Sequence, residues 1–137
     1  MDWLDFTNID FVAIALGTVV AILLGFLWYL PPVFGRTWQR YSGLTDAEMR
    51  TKVVLRFGPA IALTFIMGVM MDVLEPANLI TWDDGAVLGL LIGLGIVAPA
   101  IAIHYIFWRK SVQLFLIDAG YSVFTLLILG AFLAAMS

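Results

Sequence analysis

The chain has 137 residues, of which 63% are hydrophobic and only 12% charged, and its mean hydropathy is +1.03. A soluble domain of ordinary composition is about half apolar with about a quarter of its residues charged, and so small a domain has too much surface to hide the excess. The net charge of -3 argues against a nucleic-acid partner, and the absence of cysteine removes disulfides, thiolate metal sites and cysteine nucleophiles.

Lipid is therefore the expected solvent, and residues 1–137 are expected to form one transmembrane domain. Met1-Asp2-Trp3-Leu4-Asp5 is acidic and lacks the basic region of a cleaved signal peptide, so the apolar run that follows is expected to be retained. Thr7-Asn8-Ile9-Asp10 reads as a helix cap. A first span covers about 11–30 and ends at Pro31-Pro32.

In the following segment, 33–42, Phe34, Trp38 and Tyr41 recur at helical spacing, with Arg36, Thr37, Gln39 and Arg40 on other faces. This predicts a short interfacial helix whose aromatic rings lie among lipid tails and whose arginines reach the head groups. Trp28, Tyr29, Phe34, Arg36, Trp38 and Arg40 form the expected anchor, and a partner-docking surface is the alternative. Thr45-Asp46-Ala47-Glu48 is an N-cap signal before a second span at about 53–74, which Glu75-Pro76 ends. Thr81-Trp82-Asp83-Asp84 opens a third span at about 85–108, and Arg109 to Ser111 turns the chain tightly into a fourth at about 112–136. Pro59 and Pro99 fall inside the second and third spans and favour kinks. The runs are continuously apolar, not alternating, which excludes a β-barrel. The expected fold is all-α, an integral membrane four-helix bundle.

The basic residues cluster in two places: Arg36, Arg40, Arg50, Lys52 and Arg56 after the first span, and Arg109-Lys110 after the third. Asp2, Asp5, Asp10, Asp72, Glu75, Asp83 and Asp84 occupy the opposite ends. Basic loops stay in the cytoplasm, so both termini are expected outside and the chain in the cytoplasmic membrane.

Lipid gives helices no hydrophobic reason to associate, so close backbone approach must hold them together. Small residues recur every fourth position: Ala13, Gly17, Ala21 and Gly25; Ala60, Thr64 and Gly68; Gly85, Gly89 and Gly93. Each stripe is expected to pack within the chain, although three stripes in a four-helix chain leave room for one to serve a partner.

Ionisable residues inside a span are functional candidates by default. His104 and Asp118 lie at similar depth below the turn at Arg109, a register that allows them to face one another. Such a pair would relay a proton or bind a cation. The expected role is structural, a clasp between the third and fourth spans in which Asp118 is held by Lys110, Arg109, Tyr105 or Tyr121 and His104 by a backbone carbonyl. Glu75, Asp83 and Asp84 match no calcium loop, and a single histidine without cysteine leaves no metal or cofactor expected. Phosphate loops, nucleophile elbows and HExxH are absent from the sequence.

Gly25-Phe26-Leu27-Trp28-Tyr29-Leu30-Pro31-Pro32-Val33-Phe34-Gly35-Arg36-Thr37-Trp38 resembles the G-x-x-W-Y-x-P-x-x-F-G-[KR]-x-W stretch of a bacterial family, domain of unknown function 1761. Leu114-Phe115-Leu116-Ile117-Asp118-Ala119-Gly120-Tyr121 is similar to that family's F-L-I-D-A-G-Y. The resemblance implies four membrane helices and carries no activity. Many members have a histidine after the last tyrosine, where this chain has Ser122.

Two functions follow as expectations. One is a non-enzymatic accessory or structural subunit that packs with other membrane proteins or with itself. The other is a small proton- or cation-linked transporter or channel using Asp118 and His104.

Overall fold

A computed structural model of the chain describes residues 6–50, 53–75 and 81–136, apart from the side chains of residues 49–50 and 53–56. Asp2, Asp5, Lys52, Pro76 and the side chains of Arg50 and Arg56 lie outside the described residues. Those that are described form helices α1 (Phe11–Trp28), α2 (Arg36–Ser42), α3 (Asp46–Arg50), α4 (Val53–Leu74), α5 (Trp82–Ile92), α6 (Ala98–Phe107) and α7 (Val112–Met136), with no strand among them. Four stretches are long and apolar enough to cross a membrane: Phe11–Trp28, Phe57–Leu74, Trp82–Phe107 and Val112–Met136. The third starts at Trp82, three residues before the expected boundary.

Local chemistry sets the helix ends. The Asp10 carboxylate accepts from the Ala13 N–H at 3.0 Å and caps α1, while the Asp10 N–H donates to Asp72 of α4 at 3.0 Å. Thr45 Oγ1 accepts from the Glu48 N–H at 3.2 Å and caps α3. Thr81 has the extended backbone of a cap before α5, but its hydroxyl donates to the Asp84 carboxylate at 2.7 Å and caps no backbone group. After α1, Leu30 is extended, as a residue before proline prefers. Pro31–Gly35 then forms a single π-helical turn leading into α2. A Cβ on Gly35 would lie 2.3 Å from the Tyr29 carbonyl oxygen, so only glycine fits this reversal. A second π-helical segment, Gly93–Val97, separates α5 from α6 immediately before Pro99, which lacks an N–H.

The α6–α7 turn is tight. Arg109 takes a left-handed conformation (φ 56°), the Lys110 N–H returns to the Tyr105 carbonyl at 3.0 Å, and Ser111 Oγ accepts from the Leu114 N–H at 3.2 Å.

Helix α7 is the hub and packs against α1, α4, α5 and α6. Its residues Leu126, Leu129 and Leu133 are buried with Ala13 and Ile14 of α1 and Met71 of α4. Against α5 the approach is backbone to backbone. A Cβ on Gly85 would stand 2.0 Å from the Gly130 carbonyl oxygen, and one on Gly89 would stand 2.1 Å from that of Leu126. Gly93 faces Val123, Gly17 faces Leu129, Gly25 faces Tyr121, and Gly68 faces Ile14. Ala13 and Ala21 are buried as well. These small residues are thus taken up within the chain, whereas Ala60 is exposed. The outward surfaces are apolar, with Phe107 81% and Ile96 66% exposed, as a lipid-facing surface should be.

Candidate functional site at Asp118

Asp118 lies six residues into α7, roughly 9 Å along the helix axis from its start. Its carboxylate is half-buried and accepts three hydrogen bonds. Tyr29 Oη donates to Oδ1 at 2.6 Å, Trp38 Nε1 donates to the same oxygen at 2.9 Å, and Tyr105 Oη donates to Oδ2. The donors come from three places: the end of α1, the middle of α2 and the last turns of α6. A carboxylate only accepts, and two phenols and an indole supply what it lacks.

The neighbouring groups interlock around this centre. Trp28 Nε1 donates to the Ile117 carbonyl at 3.0 Å, and Tyr121 Oη donates to the Ala21 carbonyl at 3.0 Å. Each ring needs a glycine opposite it. A Cβ on Gly120 would stand 3.1 Å from the Trp28 ring, and one on Gly25 would stand 2.7 Å from Tyr121 Oη. Tyr29 meets Trp38 and Tyr121 edge-on, with centroids 6.1 and 5.6 Å apart, and Trp28 lies against Phe34 and Phe124. The end of α1, the π turn and α2 are in this way fastened to the start of α7.

His104 makes none of these bonds. It sits with Ala100, Ile103 and Phe107 on the exposed face of α6, and no hydrogen bond joins it to Asp118. Successive helix residues are turned by about 100°. The rotation that aims Tyr105 at Asp118 therefore turns His104 away from it. Depth along the hairpin puts the two residues level, but depth leaves the helix rotation open.

The expected aromatic anchor is also differently employed. Trp28, Tyr29 and Trp38 direct their polar tips inward to α7, and Phe34 packs on Trp28, while Arg36 and Arg40 remain exposed. Tyr29 and Trp38 are the site residues that sequence reasoning assigned elsewhere. The available signal was chemical: an intramembrane carboxylate needs donors, and both residues carry one at the same end of the bundle.

At the opposite end, Asp72 receives the Asp10 N–H, and Glu75 Oε1 is buried with no hydrogen-bond partner among the described residues. Burial, and then the neighbouring Asp72 carboxylate, push the Glu75 carboxyl up to about 8. Among the described residues, no three histidine or acidic side chains stand together as a metal-ligand group.

Comparison with known families gives a match over residues 12–134 to the family described as "Protein of unknown function (DUF1761)". The chain belongs to this family. No curated protein and no solved structure matches it. The two stretches that resemble DUF1761 motifs are the two that meet at Asp118. Trp28, Tyr29 and Trp38 of one bond to Ile117 and Asp118 of the other, Gly25 makes room for Tyr121, and Gly120 makes room for Trp28.

Proposed function

We propose that the chain is a small, non-enzymatic integral membrane protein, an accessory or structural subunit that packs with other membrane subunits or with itself. Asp118 acts in it as a structural clasp. The observation that supports this most is that both Asp118 carboxylate oxygens are occupied by donors from the chain's own α1, α2 and α6 segments. The group best suited to chemistry is engaged in holding helices together. What the spans offer outward is mostly apolar, including the stretch of α4 from Gly58 to Leu63, in which every residue is exposed.

The decisive experiment is gentle purification from native membrane with mass spectrometry of what comes along. A stoichiometric partner or a defined homo-oligomer, with no Asp118-dependent ion flux in proteoliposomes, is the expected result. Proton or cation flux abolished by Asp118→Asn would replace this reading with the transporter one. The proposed orientation places the end bearing Arg36, Arg40, Arg109 and Lys110 in the cytoplasm. Because the chain has no cysteine, single variants give a clean test. Asn8→Cys should react with an impermeant maleimide from outside, and Lys110→Cys only after the membrane is opened.

A further inference from the structure

Residues 36 and 40 share one face of α2, and residue 38 lies about half a turn from both. The Trp38–Asp118 hydrogen bond therefore fixes the roll of this helix and turns Arg36 and Arg40 away from α7. There they line an open depression of about 480 Å³ together with Gln39, Gly43, Leu44 and Asp46. Gly43, left-handed at φ 76°, ends α2 and folds the chain back to form the far wall. Neither guanidinium has a carboxylate partner among the described residues, and Arg40 lies over the Tyr41 ring at 5.2 Å. The one acid in the depression, Asp46, accepts from Gln39 Nε2 at 2.7 Å. Two unpaired cations thus outweigh a single engaged anion. The volume falls within the range of roughly 300–1,000 Å³ common for small-molecule sites.

We propose that this depression binds a phosphate group through Arg36 and Arg40, presented by an anionic lipid headgroup or by free phosphate. Guanidinium groups match phosphate oxygens in a two-pronged fashion that a lysine ammonium does not. The depth also fits a lipid: α2 reaches Asp118 only about 9 Å inside the start of α7, so its opposite face stands at the level of the head groups. The clasp at Asp118 orients the arginine pair, which links the two sites. The phosphate site does not depend on the chain being an accessory subunit.

The test uses the full chain purified in mild detergent. Native mass spectrometry counts retained phosphatidylglycerol against phosphatidylcholine, and a parallel titration uses inorganic phosphate without lipid. The wild type should retain phosphatidylglycerol preferentially. R36Q/R40Q should weaken this retention by about twenty-five-fold, from two arginines each contributing about fivefold near a membrane surface. R109Q/K110Q, which removes the other described basic pair at the same end, should leave it within about twofold of wild type. Tight, arginine-dependent binding of inorganic phosphate that displaces the lipid would identify the soluble anion as the source. If R36Q/R40Q keeps its phosphatidylglycerol, or R109Q/K110Q loses it equally, the site is not there. Tryptophan emission reports folding in the same samples. Should the glutamine variant fail to fold, R36K/R40K, which keeps the charge, must still show a several-fold loss.

Discussion

The two halves of α7 are held by different physics. From Val123 to Ala134 it meets α5 across glycines, with Gly85 and Gly89 letting carbonyl groups come into direct contact with the neighbouring backbone. From Ile117 to Tyr121 it is held by hydrogen bonds from Trp28, Tyr29, Trp38 and Tyr105, with Tyr121 bonding back to Ala21. In lipid these are the two available ways to join helices, since apolar surface gains nothing by leaving an apolar solvent. Close contact depends on shape and tolerates no added atom. The hydrogen-bonded end depends on matched donors and acceptors, and what crowds its glycines, Gly25 and Gly120, is side chain and not backbone.

The largest expected effect comes from breaking the close-packed half. Gly89→Ala places a methyl 2.1 Å from the Leu126 carbonyl oxygen, with only backbone to yield. It should lower stability by about 3 kcal/mol, measured by unfolding in mixed micelles. Asp118→Leu attacks the other half and leaves two phenols and an indole without their acceptor. A loss of about 2 kcal/mol is expected, with Asp118→Asn costing less because an amide oxygen still accepts. If Gly89→Ala proves milder than Asp118→Asn, the division between shape and chemistry does not hold.

A smaller effect tests the acidic end by pH. The Glu75 carboxyl is pushed up to about 8 from an ordinary 4.5, so its contribution is full below about 4.5 and is lost as pH rises through about 8. Glu75→Gln should flatten the stability profile across that window and leave the acid limb unchanged. The smallest effect is expected at His104→Ala. The side chain faces outward and takes no part in the clasp, so stability should shift by no more than about 0.5 kcal/mol. A larger shift would return the histidine to the Asp118 site.

Different parts of this arrangement were legible to different degrees. The four spans follow from hydropathy and length, and the Asp10 and Thr45 caps from residue type at the right spacing. The small-residue stripes follow from period four, because a glycine face is itself the contact. Asp118 was legible as a candidate, being an acid within an apolar run. Its partners were not, because Tyr29 and Trp38 lie 89 and 80 residues away, and an aromatic beside a span reads equally well as an interface anchor. Nor was the rotation of α6. With apolar residues all round that helix, no polar face says which side turns inward, and His104 and Tyr105 were equally plausible until the neighbours were in place.

One consequence concerns the order in which the chain is made. The helix around which α1, α4 and α5 assemble comes after all of them in the sequence. At roughly 5–20 residues per second, the ribosome takes roughly 4–18 s to travel from Tyr29 to Asp118. By the end of that interval three spans have been made without their common support, and the donors of Tyr29 and Trp38 have had no acceptor. A chain halted before Val112 would keep the contact of α1 with α4, Asp10 on Asp72 and Gly68 on Ile14, but would lack the helix that the other spans share.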